Sequence, residues 1–314
     1  MDEDTEVGGL EKQDSPPQTA PSPFSGLAKG PISKIYADVD IPQRLYHYTS
    51  ADGLLGILGT HTLRFSDAAF LNDGSESIYG VDVVSYAIDS LLENSPDDWK
   101  LAGESLKRTV AAEMAYHQPI IFCFSRRNNL LNQWRDYGKD VVPYCIEFET
   151  KELEKWQDFS FPIYLTRIVY NPAIQFELVT ELLSMIRDKA HGLVGGRDTN
   201  EEEERHLLVS AALEIVALIS RFKNPAFEAE EEWRAICHRP DLEAKVRRQF
   251  RTSSLGLVPY YDWSAVPDKK PLPVTSVTVG PSPYAQVSDL ALKQFLDDRG
   301  YKVETRFSTI PIRR

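Results

Sequence analysis

Glu230-Glu231-Glu232-Trp233-Arg234-Ala235-Ile236-Cys237 runs three carboxylates into an indole, a guanidinium and then an apolar segment. Like charges this close repel and cannot be buried together without shifting their pKa values. A surface helix would leave them in water. Here the apolar residues that follow read as a buried strand, which sets the carboxylates at a strand mouth. Residues two apart in an extended chain share a face. Glu230 and Glu232 then project together while Glu231 turns away, a geometry suited to acid/base work or to stabilising a cation. An acidic run alone is ordinarily solvated, as a second one at 201–204 reads. The functional reading therefore depends on what the rest of the chain places beside the first.

Outward from this strand the pattern is that of an α+β chain. Strands are predicted over 44–49, 62–66, 119–125, 143–149, 162–170, 232–238, 256–261, 274–280 and 301–308. Helical periodicity appears over 50–58, begun by Ser50, around Ile78–Leu91 and Leu106–Met114, and over 172–187, 205–222 and 285–299. Short strands between helices of unequal length do not form a βαβ repeat. The expected architecture is a split or strongly bent mixed sheet with flanking helices. Residues 1–34, with Pro16, Pro17, Pro21, Pro23 and Pro31 among acidic and small residues, read as a disordered tail, and 35–314 as one domain.

With 314 residues and 42% hydrophobic content, the chain can bury a full core. A net charge of −12 argues against a surface devoted to nucleic-acid backbone. No apolar run reaches membrane-spanning length and no signal peptide opens the chain, so a soluble, cytoplasmic protein is expected. Cys123, Cys145 and Cys237 each lie in an apolar strand and lack metal or disulfide spacing, which makes them core thiols.

Two further clusters compare with the acidic one. His47 stands between Tyr46 and Tyr48, and His47 and Thr49 share a face in an extended chain, as hydrogen bonding to a polar ligand would need. The plainer reading is a satisfied histidine beside the helix cap Ser50, which leaves the flanking tyrosines without a reason. Ser125-Arg126-Arg127-Asn128-Asn129 leads into Trp134-Arg135-Asp136-Tyr137-Gly138 at a strand exit. Its arginines could take phosphates, and Trp134 and Tyr137 offer stacking faces. The alternative is an exposed turn and a short helix closed by Gly138.

Several blocks recur in order in an uncharacterised bacterial domain family that resembles ADP-ribosyltransferases. They are His47-Tyr48-Thr49, Phe70-Leu71-Asn72-Asp73-Gly74-Ser75-Glu76, Cys123-Phe124-Ser125, Leu131 to Gly138, Asn224-Pro225-Ala226-Phe227 with Glu230-x-Glu232-Trp233-Arg234, and Ser308-Thr309-Ile310-Pro311. The resemblance runs from about Leu45 to Ile312. It implies an ADP-ribosyltransferase-like α+β fold that takes NAD as substrate, with no metal, and transfers ADP-ribose to an unknown protein or nucleic-acid acceptor, or to water. A toxin, effector or phage-defence role would go with that activity. Carried onto this chain, the resemblance makes Glu232 the catalytic carboxylate and Glu230 its helper. His47, Tyr48, Thr49, Ser125, Trp134 and Arg135 become the NAD-binding set, with Arg135 on the pyrophosphate. Tyr48 departs from the usual glycine after the histidine, and Ser125 lacks the Ser-Thr-Ser pattern of arginine-specific members.

Two other function classes stay open. Glu147, Glu149 and Lys151 have a spacing loosely like the carboxylate-x-Lys site of a metal-dependent nuclease. Trp134, Arg135 and Trp233 could instead form the surface of a catalytically inactive binding domain.

Overall fold

The computed structural model describes residues 22–311 except 38, 71–75, 94, 117–118, 137–140, 156–162, 196–197, 239–246, 254–255 and 265–269. Residues 1–21 of the expected tail, 71–75 of the Phe70–Glu76 block, and Tyr137 and Gly138 lie outside the described residues.

Nine helices and ten strands are described: α1 Lys29–Tyr36, β1 Arg44–Thr49, α2 Ala51–Thr60, β2 Leu63–Asp67, α3 Glu76–Leu92, α4 Asp97–Tyr116, β3 Ile120–Ser125, α5 Leu131–Asp136, β4 Tyr144–Glu149, α6 Thr150–Lys155, β5 Tyr164–Arg167, α7 Pro172–Val194, α8 Glu201–Ile219, β6 Glu232–Cys237, β7 Gln249–Ser253, β8 Gly256–Trp263, β9 Val274–Val279, α9 Ala285–Asp298 and β10 Glu304–Phe307. A 3-10 turn, Pro225–Glu230, runs into β6. The strands form a single open mixed sheet, ordered β10-β9-β4-β1-β3-β2-β8-β7, with β6 on β3 and β5 on β6. Among the described strands β10 and β9 pair in parallel, and the other pairings are antiparallel.

β3 is the hub of this sheet. β6 covers one of its edges along its whole length, from Ile120↔Cys237 to Ser125↔Glu232. The opposite edge is shared: β2 pairs at Ile120 and Ile121, and β1 touches only through Tyr46↔Ser125. β1 therefore parts from β3 immediately after Tyr46, while its other side runs along β4 from Arg44↔Glu149 to Thr49↔Tyr144.

Alternation explains the two faces. Phe122, Phe124, Trp233, Ala235 and Cys237 point into a core that includes Leu54, Ile57 and Leu58 of α2 and Leu292 and Leu296 of α9. Ser125, Glu232 and Arg234 point to the other face by the same alternation. A second core joins α1, α3, α4, α7 and α8, and meets the sheet near β5 through the bridge Val169↔Phe222. Asn171 and Asn200 cap α7 and α8 with their side chains.

The expected tail boundary at residue 34 does not describe residues 22–34. Phe24, Ala28 and Ile35 are buried in the second core, and α1 begins at Lys29. No residue of α1 caps its own start. The Glu214 carboxylate of α8 does so from across the core, accepting from Gly26 N at 3.0 Å and Ala28 N at 2.8 Å. Proline content signals little burial only where no other element supplies the missing partners. β7 was not predicted either.

Candidate functional site

The parting of β1 from β3 is held open by a side chain. His47, the first residue beyond the shared pair, turns its Nδ1 onto the Cys123 carbonyl at 2.8 Å and stacks on Phe122 with ring centroids 4.2 Å apart. A carbonyl only accepts, so Nδ1 carries the proton. Burial pushes the imidazole pKa down to about 4, with the Arg251 charge adding to it against the Cys123 hydrogen bond. At neutral pH the ring is uncharged and Nε2 keeps its lone pair, ready to accept a hydrogen bond.

Ser125 closes the floor of this gap. Its buried hydroxyl donates to the Glu230 carbonyl at 2.8 Å and accepts from Arg127 N at 3.1 Å. The 3-10 turn begins at Asn224, whose Oδ1 accepts from Ala226 N, and ends at Glu231 in the left-handed region, φ 43°. That single kink swings Glu230 and Glu232 to the same side. They do share a direction, as expected, but a turn and a kink achieve it where an extended chain was foreseen.

Both carboxylates are buried, Glu230 at 6% and Glu232 at 5% exposure, and each accepts from Lys223 Nζ, at 2.8 and 2.9 Å. Lys223 is 2% exposed and its ammonium lies 5.0 Å from the Phe227 ring centroid. Arg234 grips Glu232 with two bonds, Nε to Oε1 at 2.6 Å and Nη2 to Oε2 at 3.0 Å, and donates Nη1 to the Ser220 carbonyl. Burial alone would raise the Glu232 pKa. The Arg234 and Lys223 charges outweigh it and hold the carboxyl well below the usual range. Tyr170 adds its hydroxyl oxygen as acceptor for Glu232 N at 2.9 Å. Glu231 points away and pairs with Arg127 at 3.1 Å near the surface.

His47, Ser125, Glu230 and Glu232 thus line one cleft, together with Tyr46 and Gln133. Its volume is about 20 Å³, room for roughly one water. Of the remaining candidates Tyr48 touches the cleft, and Thr49, Trp134 and Arg135 lie elsewhere. Tyr48 reaches the cleft edge, but its hydroxyl is spent on the loop after β3, donating to Arg127 O and accepting from Leu130 N. Thr49 is buried under the first turn of α2, where a Cβ on Gly53 would lie 1.9 Å from its Oγ1. Trp134 packs edge-on against Tyr48 and Cys145 and donates Nε1 to Asn129, so neither ring face is offered to the cleft. Arg135 is exposed on α5 and is absent from the cleft wall.

Asn129, at φ 58°, gathers the far end of the chain onto this loop. Its Oδ1 accepts from Ser308 Oγ at 2.5 Å and its Nδ2 donates to Thr309 Oγ1 at 2.7 Å, while Ile310 packs against the Tyr48, Trp134 and Cys145 cluster. The Glu147 and Glu149 pair has a different fate. Glu147 is held by Arg44, Arg306, Thr275 and Ser276, and Lys151 is exposed on α6. Among the described residues no three His, Cys, Asp or Glu side chains are grouped to hold a metal ion.

A model for a domain family described as a protein of unknown function, DUF2971, matches residues 133–235. The matched third of the chain runs from Gln133 to Ala235 and so contains the whole Lys223, Glu230, Glu232 and Arg234 cluster, whereas His47 and Ser125 precede it. No curated protein and no solved structure matches the chain. Among the described residues no helix is long and apolar enough to cross a membrane.

Proposed function

We propose that the cleft binds NAD and that the protein is an ADP-ribosyltransferase, or an NAD glycohydrolase when water is the acceptor. The observation that supports this reading is the convergence of His47, Ser125, Glu230 and Glu232 at the place where β1 leaves β3. The bond from ribose C1′ to the nicotinamide nitrogen breaks, and its electron pair leaves with nicotinamide. A cation remains at C1′, and the acceptor adds there and releases its proton. Glu232 suits the cation and not the proton, because Arg234 and Lys223 keep it ionised. Glu230, two residues away on the same side, is the group to take the proton, and neutral His47 can accept from a ribose hydroxyl through Nε2.

A dinucleotide enters a cleft of about 20 Å³ only if the walls open. Lys223, bonded to both carboxylates, is the group whose departure would loosen Glu230, while Arg234 keeps its two bonds to Glu232. Incubating purified protein with NAD, with and without cell extract as a source of acceptors, and measuring nicotinamide released tests the reading. Release should fall at least about a hundredfold in Glu232→Gln, as expected for loss of a charge that acts on the transition state. Absence of both NAD binding and nicotinamide release in the wild type would end it.

A second reading, a catalytically inactive ligand- or partner-binding domain, is favoured by one observation. Lys223 and Arg234 already balance the two glutamates, so the cluster is electrically complete without a ligand. Thermal stabilisation by NAD without turnover would select this second reading.

A further inference from the structure

A larger cavity, of about 510 Å³, lies at the side of the sheet where α1 and β5 meet the first core. Its wall includes Ile32 and Tyr36 of α1, Leu153 of α6, and Phe124 and Ala235 of the sheet, and one cation, Arg221. Arg221 is 3% exposed, yet among the described residues it forms no ion pair with a carboxylate. Its Nη1 donates to the Ala217 carbonyl, near the end of α8, which accounts for part of the guanidinium. Tyr36 lies beside it and donates its own hydroxyl proton to the Leu165 carbonyl. Neither contact satisfies Nε, which is buried and has no hydrogen-bond partner. His238 feels the Arg221 charge, and its buried Nε2 likewise has none.

A buried guanidinium without a counter-charge is costly, and a cavity of several hundred Å³ beside it is of ligand size. We propose that this cavity binds an apolar carboxylate of the medium-chain fatty acid class, with its carboxylate on Arg221 and its chain among Ile32, Leu153 and Phe124. A single cation suits a singly charged head group, and the largely apolar wall leaves a phosphate's further oxygens without donors. This site is separate from the NAD reading and stands or falls without it.

Calorimetric titration of the full chain with decanoate, decanol and inorganic phosphate tests it. Decanoate should bind one per chain, decanol about tenfold or more weakly for want of the charge-assisted bond, and phosphate not at all. In Arg221→Met the preference for decanoate over decanol should vanish while decanol still binds, which shows that the cavity survives. Ile32→Trp, which fills the cavity, should remove both. Failure of decanoate to bind the wild type, or undiminished preference in Arg221→Met, would overturn the proposal.

Discussion

Removing the Glu232 side chain leaves Lys223 and Arg234, each no more than 3% exposed, as neighbouring cations around one remaining glutamate. Breaking a buried pair in this way costs about 3–5 kcal/mol, so Glu232→Ala should unfold at clearly lower urea than wild type. Loss of activity in that variant alone would say little about chemistry. Glu231→Ala should cost less than about 1 kcal/mol, because the ion pair that Glu231 makes is with exposed Arg127; a larger drop in the urea midpoint would mean that the kink at Glu231 depends on its side chain. The division between Glu231 and its two neighbours was legible in the sequence. Lys223 was not. A lysine just past a helix reads as solvated, and only the 3-10 turn at 225–230 folds it back onto residues seven and nine positions later.

At the scale of elements, β1 and α2 were legible because local chemistry specifies both. A short run rich in tyrosine marks the strand, and Ser50 Oγ accepts from Gly53 N at 3.1 Å to start the helix. Ser50→Ala should therefore cost about 1 kcal/mol, and an unchanged melting temperature would remove the cap from the account. The lone contact of β1 with β3 was beyond reach, since it depends on the His47 side chain taking a carbonyl that a neighbouring strand would otherwise use. α1 was missed for a similar reason: the acceptor at its start belongs to Glu214, 186 residues away.

For the whole molecule, acid should be the weak direction. The His47 pKa falls from 6.5 to about 4 and that of His238 to about 3 on folding, both through burial. The unfolded chain binds these protons first, so the stability they contribute is complete above about pH 6.5 and is lost as pH falls toward those values. Glu232 acts in the same direction lower down: its contribution is full above the ordinary carboxylate value of 4.5 and fades beneath it. Urea midpoints measured from pH 7 to pH 4 should fall steadily, and less so in His47→Asn. A flat profile would mean that the imidazoles are hydrated in solution. The strands and helices of this molecule were mostly readable from their periodicity. The order in which β3 gathers β1, β2 and β6 was not, because register between distant strands leaves no mark in local pattern.

The grip of Ser308 and Thr309 on Asn129 spans 179 and 180 residues. Loop closure on that scale comes after local structure has formed. A ribosome making this protein therefore releases most of the sheet before the loop beside the cleft has its last partners. Nascent chains stopped short of residue 308 should carry folded strands with that loop unpinned, so any activity of the cleft would await the emergence of Ser308 and Thr309.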